Sequence, residues 1–107
     1  MLDCHGQVRW SAQPKRWSLA ALALDGRGRI LFLHGRSPSS RPDFITMLRG
    51  LPLGIVRAMS LEGGPEASLV VRVKGVTRTL VGSYETGFNE NDDNHQPWPP
   101  PNVLGVQ

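Results

Sequence analysis

Leu19-Ala20-Ala21-Leu22-Ala23-Leu24-Asp25-Gly26-Arg27-Gly28-Arg29-Ile30-Leu31-Phe32-Leu33 decides the fold. Two short apolar runs flank Asp25-Gly26-Arg27-Gly28. Glycine tolerates the positive φ of tight hairpin turns, so the segment reads as a β-hairpin. Neither run alternates apolar with polar residues, so both strands are expected to be buried on both faces. Toward the N-terminus, Leu2-Asp3 reads as the end of a strand, Cys4 to Gln7 as a turn and Val8-Arg9-Trp10 as the returning strand. A polar segment, Ser11 to Lys15, separates these from the hairpin.

Toward the C-terminus, His34-Gly35-Arg36-Ser37-Pro38 reads as a strand-to-helix loop. A helix is expected at about 41–50. Ser40 is a good N-cap, Pro42 suits the first turn and Asp43 sits at the capping-box position. Phe44, Met47, Leu48 and Leu51 fall at i, i+3, i+4 and i+7, one apolar stripe that would face the core. Gly50 or Leu51-Pro52 ends it. Strands follow at Val56–Leu61, Leu69–Val73 and Thr77–Val81, with Lys74-Gly75 turning between the last two. Residues 82–101 are rich in Gly, Asn, Asp and Pro and read as one long loop, functional or mobile. Val103 to Val106 reads as a closing strand. Strands with one main helix make this an α+β chain, mixed or antiparallel, with a single domain over 1–107.

Composition narrows the function. The chain has 107 residues, 39% hydrophobic and 20% charged, with a net charge of +3. That excludes wholesale disorder. No apolar run approaches the roughly 18 residues of a membrane span. Met1–Trp10 lacks the basic start and apolar stretch of a signal peptide, which leaves the compartment open. One cysteine, Cys4, excludes an internal disulfide framework and a Cys-based zinc site. His5, His34 and His95 match no metal spacing and read as surface or incidental residues. Ten of the twelve basic residues are arginines. They are scattered, which permits an anionic ligand but argues against a nucleic-acid stripe.

Three places could carry chemistry. Leu61-Glu62-Gly63-Gly64-Pro65-Glu66-Ala67-Ser68 places a carboxylate at a strand end before paired glycines, where backbone can approach a ligand closely. A plain tight turn with Glu62 in solvent fits the same pattern. Arg36, after the hairpin, could fork onto a phosphate or lie on the surface. The acidic loop holds Glu85, Glu90, Asp92 and Asp93 among asparagines, without EF-hand spacing, and reads as solvated. Tyr84, Phe88 and Trp98 lie around it, as a sugar-stacking surface or as pins for the loop. No Ser-His-Asp or Cys-His arrangement is present, and no nucleotide-binding glycine loop.

The segment Leu61 to Val71 resembles the N-L-D-G-G-G-S-S-T-L-V-V segment of the phosphodiester glycosidase domain family, the family of the N-acetylglucosamine-phosphodiester uncovering enzyme. Asp25 to Phe32 resembles that family's D-x-x-G-R-L-L-L hairpin, and Gly35-Arg36-Ser37 its D-G-R. The helix from Pro42 to Leu51 takes the place of the family's helix before the Gly-Gly strand. Pro101-Asn102-Val103-Leu104-Gly105-Val106 resembles its closing P-N-A-L-G-V. These landmarks keep their order across about residues 18–107. Glu62 stands where the family has Asp, and Pro65 where it has a third Gly, a variant similar to bacterial members with a Gly-Ser-Tyr-Glu-Thr-Gly-Phe-like loop. The family's N-G-G-x-F strand-turn has no counterpart before Trp17. The resemblance thus implies the C-terminal portion of the domain, a truncated gene or a mis-set start codon, with part of the cleft absent.

What the resemblance implies is a hydrolase of the bond between a sugar's anomeric carbon and a phosphodiester oxygen. Glu62 would be the carboxylate facing the sugar, with Glu66 and Glu85 as further acid, base or nucleophile candidates. Arg36 would hold the phosphate, Gly63 and Gly64 would allow close approach, and Ser68 and Asn102 would contact the ligand. Tyr84, Glu85 and Trp98 would add loop contacts. No metal or other cofactor is required. The ligand would be a sugar phosphodiester or glycan, with no nucleic acid and no membrane span; the oligomeric state is left open. The alternative is a non-catalytic glycan- or anion-binding module.

Overall fold

The computed structural model describes residues 4, 5, 7, 15–100 and 103–106. The expected N-terminal strand pair therefore lies outside the described residues, apart from a turn at Cys4-His5. Asn102 lies outside them too. The described chain is one α-helix with five antiparallel strands in two sheets. In order these are β1 (Trp17–Asp25), β2 (Ile30–Ser39), α1 (Arg41–Gly50), β3 (Ile55–Gly63), a single 3-10 turn at Gly64–Glu66, β4 (Ser68–Val73) and β5 (Val76–Val81). The first sheet runs β2-β1-β3 and the second is the β4–β5 hairpin.

β1 is the central strand and is buried along its length, which explains its continuous apolar run. β2 is an edge strand, and here the expectation of burial on both faces is corrected. Its residues are half-buried or exposed, with Ile30 59% exposed. β2 also continues to Ser39, so Arg36 lies within a strand rather than in a loop.

Asp25 builds the turn between them. Its Oδ1 accepts from the backbone N–H groups of Arg27 and Arg29, and its Oδ2 pairs with Arg29 Nε at 2.6 Å. Gly28 supplies the positive φ of 81°. The Arg29 backbone N–H lowers the Asp25 pKa below its ordinary value, against the opposing effect of burial. A depressed folded-state pKa stabilises the fold above the unfolded pKa and loses that contribution as pH falls through the folded one. Thermal unfolding from pH 7 to pH 2 is therefore expected to show a destabilisation that Asp25→Asn flattens.

α1 starts as its sequence predicts. Ser40 accepts from the Asp43 N–H at 3.2 Å, and Pro42 lies in the first turn. Its buried side chains are Phe44, Ile45 and Leu48. The expected stripe is corrected at two positions, because Met47 and Leu51 are 52% and 45% exposed. A short helix lying on a sheet buries one narrow strip, and Ile45 beside Phe44 fills it where Met47 would not. Phe44 fits because Gly35 on β2 has no side chain: a Cβ there would meet the Phe44 ring at 3.0 Å. These three residues pack with Trp17, Leu19, Ala21, Ala23 and Ala58 into the core.

β4 and β5 pair in regular register from Ser68↔Val81 to Val73↔Val76. Val70, Val73 and Val76 on this hairpin are exposed. Residues 103–106 form no strand, which corrects the expected closing strand. Val103 and Val106 are 84% and 77% exposed, so no sheet edge among the described residues takes them up.

Candidate active site

A register break positions the central carboxylate. Along β3, Ala58 and Ser60 pair with Ala23 and Ala21. Plain alternation would put Glu62 on that same core-facing side. The next pair is instead Ala20↔Glu62, so β3 holds one extra residue, Leu61. This β-bulge breaks the alternation just before Glu62 and sets Gly63 opposite Leu19. The strand ends there in the 3-10 turn.

Glu62 lines a cleft of about 420 Å³ with Gly63, Pro65 and Glu66 from the same corner. Trp17, Arg41, Glu85 and Phe88 complete it. The volume suits a ligand the size of a monosaccharide derivative. Three carboxylates and one guanidinium therefore share one wall system. Burial raises the Glu62 pKa, and the negative charges of Glu66 and Glu85 raise it further, against a backbone hydrogen bond from Gly63. Burial and the neighbouring carboxylates thus favour the protonated form of Glu62.

The paired glycines serve close packing of the protein on itself. A Cβ at Gly63 would meet the Trp17 ring at 3.1 Å. Gly64 has φ +69°, and a Cβ there would meet Glu85 Oε2 at 2.5 Å. The Gly-Gly pair thus lets Trp17 and Glu85 close in on the corner that carries Glu62.

Arg41, which the sequence reading did not single out, is the cation that lines the cleft. It is the first residue of α1, and its guanidinium lies 4.5 Å from the Trp17 ring centroid. Burial lowers its pKa from the usual arginine value, though a guanidinium stays charged.

Arg36 lies elsewhere. Its Nη1 donates to Val81 O at 2.9 Å, and its Nη2 to Asn94 O at 2.8 Å and Asp92 O at 3.2 Å. Nη2 also pairs with the Asp92 carboxylate at 2.8 Å. Arg36 thereby ties the loop after β5 to β2. Ser18, fully buried, is the second tie: its Oγ accepts from the N–H groups of Ser83 and Tyr84 and donates to Arg36 O. Asn89 and Asn94 satisfy carbonyls of the loop itself, at Ser83 and Gly82. The polar composition of residues 82–96 is thus an internal hydrogen-bond network, and it holds Glu85 against Trp17 in a β-bridge.

The remaining candidates scatter. Ser68 Oγ donates to Glu66 O at 3.3 Å, beside the cleft rather than lining it. Tyr84 is half-buried next to Ser18, and Trp98 packs on Phe88. His34 is half-buried, with Nε2 2.8 Å from Ala67 O, and burial lowers its pKa. No cluster of metal-ligating side chains occurs among the described residues.

The sequence model of the phosphodiester glycosidase family matches residues 1–107, the whole chain. The chain belongs to the phosphodiester glycosidase family. The match takes in residues 1–17 as well as the stretch that carries the motif resemblance. Comparison with curated proteins and with solved structures gave no match. Membership of this family makes the chain a hydrolase-like glycosidase domain, for which a sugar-type ligand is suggested. No helix among the described residues is long and apolar enough to cross a membrane.

Proposed function

We propose that the Glu62 cleft hydrolyses the bond between a pyranose anomeric carbon and a phosphodiester oxygen. The observation that carries this is the cleft at the end of β3, where Glu62, just past the bulge at Leu61, shares the lining with two further carboxylates and one cation. Water adds its hydroxyl to the anomeric carbon. The carbon–oxygen bond breaks with its electron pair going to the phosphate oxygen. Glu62 supplies a proton to that oxygen, and the proton released by the water returns to the carboxylate set. The Glu66 and Glu85 carboxyl groups, on the same cleft, offset positive charge that builds on the sugar ring. The phosphate carries its own negative charge, so its departure depends on a cation as well as on an acid. Arg41, stacked on Trp17 in the cleft, fits that role, and Arg36 anchors the loop.

The test is a pair of anomeric pyranosyl methyl phosphate diesters offered to the full chain, with release of free sugar and methyl phosphate followed by NMR. Cleavage of one anomer is expected. Arg41→Met keeps the stacking volume on Trp17 and removes the charge, and is expected to lower kcat/KM by roughly 100-fold, the scale of one charge-stabilising group. Saturable binding of the diester without release of sugar would replace the hydrolase reading with that of a glycan- or anion-binding module.

A further inference from the structure

Phe88 presents a feature that the hydrolytic scheme does not use. It is 64% exposed, yet it lines the cleft. Its ring leaves an aromatic face open at the cleft, on which a ligand can stack. The ring is also held in place. Trp98 meets it edge-on, with centroids 5.8 Å apart and planes at 80°. The Trp98 indole N–H donates to Asn94 Oδ1 at 3.2 Å. Asn94 is itself fixed, donating from Nδ2 to Gly82 O at 2.7 Å and from its backbone N–H to Ser83 Oγ at 3.1 Å. The Phe88 N–H donates to Glu85 O at 3.1 Å. The ring is therefore oriented before any ligand arrives, which lowers the ordering cost of binding.

We infer that Phe88, backed by Trp98, is the stacking wall for an uncharged pyranose ring at the mouth of the cleft. This rests on the glycosidase reading above and names the part of the ligand that the wall takes. Glu62, Glu66 and Glu85 face Arg41 alone among the charged lining residues, so an anion is repelled from the carboxylate side. A neutral ring with many hydroxyl donors is welcome there. A pyranose offers hydroxyls at its rim for the carboxylates and a face of C–H bonds for the electron-rich face of Phe88. The sugar then lies between Phe88 and the carboxylates, and its phosphate points to Arg41. A nucleobase would also stack, but it brings few donors for three carboxylates.

The full chain is titrated with methyl α- and β-D-glucopyranoside, and with adenosine for comparison, by saturation-transfer NMR and amide shifts. Pyranoside binding is expected, with saturation strongest at the ring C–H protons. Affinity should fall roughly tenfold in Phe88→Ala and return in Phe88→Trp. Trp98→Ala, which only loosens the ring, should cost roughly threefold. The amide spectrum reports whether each variant keeps the native fold, which is expected for a side chain this exposed. Equal pyranoside affinity in the native chain and Phe88→Ala overturns the inference, as does no pyranoside binding by the native chain. Phe88-dependent binding of adenosine with pyranosides unaffected overturns it too. Phe88-dependent pyranoside binding without diester cleavage leaves this inference standing and removes the hydrolase reading.

Discussion

Arg36→Ala is expected to destabilise the protein by about 2–3 kcal/mol and to release the loop that follows β5. Three backbone carbonyls, at Val81, Asp92 and Asn94, take the Arg36 guanidinium as donor. Hydrogen bonds from a charged donor contribute about 1.5–3 kcal/mol each in favourable sites. The net effect falls well below the sum of three such bonds, to about 2–3 kcal/mol, because the Arg36 side chain keeps 31% of its exposure and water can take over the freed carbonyls. The Asp92 ion pair adds little, since Asp92 is 72% exposed and surface pairs contribute about 0–1 kcal/mol. For a domain of this length the melting midpoint should fall by roughly 10 °C. Arg36→Lys should recover little of this, because an ammonium cannot span three carbonyls as the planar fork does. Amide exchange should rise at Asn94, whose N–H donates to Ser83 Oγ inside the loop network. An Arg36→Ala protein that melts like the native chain but loses only ligand affinity would return Arg36 to the phosphate.

The contrast between Arg36 and Arg41 shows which parts of the site the sequence makes legible. Local signals are strong for the first hairpin and for α1. Asp25-Gly26 and the Ser40-Pro42-Asp43 cap act within a few residues, and both form as read. Glu62 at a strand end is legible for the same reason. The face that Glu62 takes is not, because the Leu61 bulge exists only in the pairing of β3 with β1. Arg36 finds its partners 45 to 58 positions later in the chain, at carbonyls that carry no sequence signature. Arg41 looks like an ordinary first-turn residue until Trp17 is placed beneath it. Gly63 and Gly64 mark a point of close packing, and the groups that the structure brings against them are Trp17 and Glu85, far off in sequence. Met47 and Ile45 differ by half a turn of a short helix, and only the sheet beneath decides between them.

Glu62→Gln should lower turnover of a pyranosyl phosphodiester by about 100-fold or more, the usual scale for a positioned proton-transfer group. The amide keeps the size and polarity of the side chain but cannot release a proton. The same variant should unfold at a higher temperature than the native chain near neutral pH. Burial and the charges of Glu66 and Glu85 raise the Glu62 pKa in the folded state. A raised pKa means that the stabilising form is the protonated one, fully present below the unfolded pKa and lost as pH rises through the folded one. Above that window the native chain holds an ionised Glu62 at some cost, which glutamine avoids. The stability difference between the two proteins should therefore shrink toward low pH and open toward neutral pH. Activity should follow the same titration, with an alkaline limb in kcat as Glu62 gives up its proton, and that limb should be missing from the residual rate of Glu62→Gln. A variant that gains stability but keeps full turnover would separate the two effects. It would leave Glu62 as a strained surface carboxylate and move the proton transfer to Glu66 or Glu85. Loss of turnover together with loss of stability would mean instead that the ionised carboxylate holds the corner at Gly63 and Gly64 together.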